Sequence, residues 1–104
     1  MSGCSGGGGN IDKACSESRN AFTSGVLPDE SMASLAEAYK IFRDASLKNP
    51  SYSIYAEGAN AAYGLTPKYI LTSSMYSTAK NGGGSYMTSD DAYRINSLIS
   101  FCGF

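Results

Sequence analysis

The stretch Asp29-Glu30-Ser31-Met32-Ala33-Ser34-Leu35-Ala36-Glu37-Ala38-Tyr39-Lys40-Ile41-Phe42-Arg43-Asp44-Ala45-Ser46-Leu47-Lys48 decides the fold class. Met32, Leu35, Tyr39 and Phe42 recur every three or four residues, with Ala36, Ala38 and Ala45 beside them, so one apolar stripe runs along a helix. Glu37, Lys40, Asp44 and Lys48 keep that spacing on another face, where Glu37 with Lys40 and Asp44 with Lys48 are expected to pair. Asp29 or Ser31 can accept from the orphan first-turn amides, and Asn49-Pro50 stops the helix.

Outward from this element the same signals repeat, and no strand-like alternation appears. Asp12 to Phe22 reads as a short helix capped by Asn10 or Asp12 and ended by Thr23-Ser24-Gly25. Val26-Leu27-Pro28 is an extended connector, because the residue before a proline is pushed out of the helical region. Ser51 caps Tyr52 to Tyr63, and Gly64 is expected to close that helix in the left-handed conformation. The interior Gly58 costs a helix about 1 kcal/mol relative to Ala, so with the small Ala61 and Ala62 it marks a close backbone approach. Thr66-Pro67 opens a weaker helix over Lys68 to Lys80, with Leu71, Met75 and Thr78 on one face and Tyr69, Thr72 and Tyr76 on another. After the loop Asn81 to Ser85, Thr88-Ser89-Asp90-Asp91 starts a last helix that turns Ala92, Ile95, Leu98, Ile99 and Cys102 inward. The expected architecture is all-α: four to five short helices in one domain over 11–104, after a flexible Gly-rich tail over 1–10.

One valine, six isoleucines, six leucines and four phenylalanines in 104 residues predict a thin large-aliphatic core. A net charge of −1 with 16% charged residues argues against a disordered chain, and eight tyrosines suit half-buried contact surfaces. With so little aliphatic bulk the isolated chain is expected to be marginally stable and to lean on a partner.

The same composition excludes function classes. There is no histidine, which removes Ser-His-Asp and Cys-His nucleophile activation and imidazole metal ligation. Eight basic against nine acidic residues leave no surplus for binding a nucleic-acid backbone. No apolar run reaches the roughly 18–20 residues a membrane span needs, and no myristoylation or apolar signal pattern opens the chain at Met1-Ser2-Gly3-Cys4. Cys4, Cys15 and Cys102 are an odd set, so at least one thiol is free, pairs elsewhere or carries a group. Zinc would need an unusual fourth ligand. Cys102 is read as a small buried thiol, and Cys4 and Cys15 as exposed. Asp90 and Asp91 belong to the helix start rather than to an acid/base pair, and Glu57 is a solvent-facing carboxylate. No catalytic residue and no metal site is expected.

Ser34-Leu35-Ala36-Glu37-Ala38-Tyr39-Lys40-Ile41-Phe42-Arg43-Asp44-Ala45, continuing through Asn49-Pro50-Ser51-Tyr52-Ser53 to Ala62-Tyr63-Gly64, resembles the small linker or gamma-type polypeptides of algal phycobilisomes. The resemblance covers about a third of the chain. It implies a non-catalytic polypeptide threading among pigment proteins, with phycobiliproteins or photosystem subunits as partners. It also implies a plastid, thylakoid-associated setting and a bilin on cysteine, which makes Cys4, Cys15 or Cys102 attachment points, Cys15 foremost.

Together these readings predict a structural linker or accessory subunit that bridges or stabilises a larger assembly such as a photosynthetic antenna. The expected contact residues are Tyr39, Phe42, Tyr52, Tyr55, Tyr69 and Tyr76 with the small patch Gly58, Ala61 and Ala62. The alternative is a small helical protein whose tyrosines line a site for a pigment or other ligand.

Overall fold

In the computed structural model, which describes residues 8–23, 25–69 and 72–104, five α-helices succeed one another. They are α1 (Gly8–Ala21), α2 (Pro28–Ser46), α3 (Ser53–Leu65), α4 (Thr72–Lys80) and α5 (Ser89–Cys102). Short 3-10 turns at Pro50–Tyr52 and Thr66–Lys68 lead into and out of α3. Among the described residues the only extended pairing is an isolated antiparallel bridge between Gly84 and Met87. Most of the expected tail lies outside the described residues, and α1 begins at Gly8, ahead of the anticipated start.

Of the expected stripe on α2, Leu35 and Phe42 are buried, whereas Met32 and Tyr39 are half-buried at its edges. Ser31, Leu35, Ala38 and Phe42 are buried, with Ala14, Ser18 and Ala21 of α1 buried as well. Ala14, Ser18 and Ala21 fall on one side of α1 at helical spacing, and their small side chains let α1 lie close on α2. The most extensive helix interfaces join α2 to α3, α3 to α5 and α1 to α2, so α3 is flanked by α2 and α5. α3 buries Ala56, Gly58, Ala59, Ala62 and Leu65, of which only Leu65 is large. Gly58 sits where an added Cβ would overlap the carbonyl oxygen of Arg94 in α5, which is the close approach its position predicts.

This arrangement changes the meaning of the thin core. Among the described residues the interior holds Phe42, Leu35, Met75, Ile95, Leu98 and Ile99 fully buried, with eight alanines buried among them. Close packing needs filled volume, and small residues reach it by drawing backbones together. The Cα radius of gyration is 12.8 Å, against about 13 Å for a fully collapsed chain of this length.

Several local expectations are corrected. α2 is not capped by Asp29 or Ser31: Glu30 accepts from the Leu27 amide at 3.3 Å, and buried Ser31 donates to the Ala21 carbonyl at 2.7 Å. That bond ties the end of α1 to the first turn of α2. The pairs Glu37 with Lys40 and Asp44 with Lys48 give way to Lys13–Glu37 at 3.6 Å and Arg43–Asp44 at 3.7 Å. Gly64 does not take a left-handed conformation, because α3 continues through it to Leu65. Asn49, ahead of Ser51, supplies the cap there, accepting from the Ser51 amide at 3.2 Å. Thr66-Pro67 forms a 3-10 turn rather than opening α4, and buried Thr66 donates back to the Ala62 carbonyl at 2.7 Å. The expected face residue Leu71 lies outside the described residues. At α5 the expectation holds: Thr88 accepts from the Asp91 amide at 3.1 Å, and Ala92, Ile95, Leu98 and Ile99 are buried.

The largest departure concerns the cysteines. Cys15 of α1 and Cys102, the last residue of α5, form a disulfide with Cα atoms 5.1 Å apart across 87 residues of sequence. Cys102 is therefore not a free buried thiol. Cys15 has its sulfur committed as well, and a disulfide sulfur has no bond left for a thioether.

Candidate functional site

The expected contact residues fall into two groups in the fold. Tyr39, Tyr52 and Tyr55 pack around the core group that contains Phe42, whereas Ala61, Tyr69 and Tyr76 pack around the group that contains Leu65 and Met75. Three members of the predicted set cannot reach a partner, since Phe42, Gly58 and Ala62 are buried within the chain. The small patch is a real close approach, but α5 of the same chain occupies it.

What the fold does assemble is an aromatic group at the ends of α2, α3 and α5. Phe101 stacks on Tyr55 with ring centroids 4.2 Å apart and planes 20° from parallel. It meets Tyr52 and Phe42 edge-on at 5.9 and 6.1 Å. These offset and T-shaped contacts are the geometries that aromatic quadrupoles favour. Beside this group an open groove of about 690 Å³ runs between α3 and α5, lined by Ile54, Tyr55, Tyr93, Asn96, Ser97, Ser100 and Phe101. Tyr93 is 67% exposed and Phe101 40%, so the groove presents ring surface to solvent.

Each wall follows from helical periodicity. On α5, Ala92, Ile95, Leu98 and Ile99 face inward, which leaves Tyr93, Asn96, Ser97 and Ser100 on an adjoining stripe at the same three-and-four spacing. Asn96 is anchored through a hydrogen bond from its amide nitrogen to the Ala79 carbonyl, which ties α4 to α5. Ser97 donates to the Tyr93 carbonyl at 2.9 Å. On the neighbouring flank Arg94 bridges Glu57 at 3.4 Å and Asp91 at 3.1 Å. Glu57 thus has a partner from a distant part of the sequence, and the charges are paired beside the groove instead of lining it.

Among the described residues no three His, Cys, Asp or Glu side chains converge as a metal-holding group. Likewise, no helix there is long and apolar enough to cross a membrane. Cys4, the third cysteine, lies outside the described residues.

Ile54, Tyr93, Asn96, Ser97, Ser100 and Phe101 carry the groove, and sequence reasoning missed them. For Tyr93, Asn96, Ser97 and Ser100 the signal lies in the second stripe of α5, next to its apolar one. No protein-family model, curated protein or solved structure matches the chain.

Proposed function

We propose that this chain is a non-catalytic accessory subunit that docks onto a larger protein through the aromatic groove between α3 and α5. The observation that carries the reading is the exposed ring surface of Tyr93 and Phe101 in an uncharged groove. Aromatic residues are enriched and charges depleted at the centres of protein interfaces, and buried Tyr contributes disproportionately to binding. The expected contact set moves accordingly from the dispersed tyrosines to Tyr55, Tyr93 and Phe101. A photosynthetic antenna as the host assembly, with a plastid location, is supported by the resemblance of residues 34–64 alone. A bilin would fall to Cys4, since the other two sulfurs are bonded to each other.

A photo-reactive phenylalanine analogue at position 93 tests the docking reading in the source cells, with the same probe at exposed Ser73 as control. One dominant protein adduct from position 93, absent from position 73, is expected. Equal labelling from both positions, or none, contradicts it.

The second reading, a ligand-binding helical protein, would use the same groove, which is open to solvent where small-molecule sites enclose most of their ligand. Visible absorbance of the natively purified chain separates the two.

A further inference from the structure

We propose that the Cys15–Cys102 disulfide is a reducible latch that holds the wall of the α3/α5 groove in its docking shape. The inference rests on the docking reading of that groove and adds a means of regulating it. The last turn of α5 is gripped from two sides. On one side Cys102 is bonded to Cys15 of α1. On the other, the adjacent Phe101 stacks on Tyr55 at 4.2 Å and forms part of the groove. Beyond the disulfide, this end of α5 is held by Arg19 of α1, which donates to the Cys102 carbonyl at 3.4 Å and lies over the Phe104 ring at 5.9 Å, and by Phe22 just after α1, whose ring lies 5.8 Å from that of Phe104. By contrast, α1 packs broadly on α2 through buried Ala14, Ser18 and Ala21. Opening the disulfide leaves α1 seated on α2 and takes from the end of α5 its covalent tie, so that the ring contacts of Phe101 and Phe104 and the Arg19 hydrogen bond hold it alone.

Both half-cystines are half-buried at the edge of the core group that holds Phe42 and Leu98, and reduction requires an attacking sulfur to reach one Sγ. The step balances as thiol–disulfide exchange with a dithiol reductant. A thiolate of the donor attacks one Sγ, the Cys15–Cys102 bond breaks, and the other Sγ leaves as a thiolate that takes up a proton. The donor's second thiol then closes on the mixed disulfide. Cys15 and Cys102 end as two thiols, two electrons gained, and the donor ends as a disulfide.

The test is amide hydrogen exchange on the full chain, oxidised and after treatment with dithiothreitol, with Cys4→Ser in parallel to keep the third thiol out of the exchange. Reduction is expected to speed exchange at Ser100 to Phe104 at least tenfold while α2 and α3 change less than threefold. Unchanged exchange at the end of α5, or a bond that dithiothreitol leaves intact in the folded protein, overturns the proposal. So does a rise across all helices together, which would make the bond a staple of the whole fold. The measurement uses no partner, so its failure leaves the crosslink from position 93 standing, and a failed crosslink leaves the latch measurement intact.

Discussion

Gly58 of α3 lies beneath the backbone carbonyl of Arg94 in α5, with room for no side chain: a Cβ there would also come within 3.1 Å of Leu98 Cβ. The obstacle is backbone, which cannot rotate aside. Gly58→Ala gains about 1 kcal/mol of helix propensity but forces α3 and α5 apart, at the roughly 1–3 kcal/mol typical of overpacking. The expected result is a lower urea midpoint. Gly64 is the internal control: it lies in the same helix with nothing within 4 Å of an added Cβ. Gly64→Ala should raise stability by up to about 1 kcal/mol. If both substitutions move the midpoint the same way, the α3/α5 contact is misplaced.

Ser31 is fully buried and donates to the Ala21 carbonyl at 2.7 Å. Ser31→Ala removes that donor and leaves a buried carbonyl without it, which should cost about 1–3 kcal/mol. Chemical denaturation measures the loss. A loss below about 0.5 kcal/mol, the range of an ordinary surface change, would mean that the junction of α1 and α2 does not depend on this bond.

Among the described residues the Tyr69 hydroxyl has no hydrogen-bond partner although the oxygen is buried. Its ring meets Tyr86 edge-on at 5.9 Å, a contact that phenylalanine would keep. Tyr69→Phe should leave stability unchanged or raise it by up to about 1 kcal/mol, because an unpaired buried hydroxyl carries only its desolvation cost. A clear drop in melting temperature would reveal a partner for the oxygen.

The helices were legible wherever period and punctuation agree. Met32 through Phe42 announces α2, and Thr88 with Asp90 and Asp91 announces α5. Helix ends were less so, since Gly64 can continue a helix as well as close one and Thr66-Pro67 suits a 3-10 turn as well as an α-helical start. Gly58 gave up its close approach in advance because a mid-helix glycine has few other uses, but not the identity of the neighbour. The disulfide was out of reach: with three cysteines, sequence alone cannot rank the pairings. The groove is not legible from residue type, because Tyr93 and Phe101 line it through the face of α5 they occupy, and counting tyrosines does not give a face.

The docking claim is tested most directly by size-exclusion chromatography with light scattering on native extracts, comparing the natural chain with Tyr93→Ser. Tyr93 is 67% exposed, so its replacement should leave the melting temperature of the isolated chain within about 2 °C. The account predicts that the natural chain elutes in a complex well above its own 10.9 kDa and that the variant elutes alone. A natural chain found only at 10.9 kDa, or a variant that stays in the complex, would contradict it.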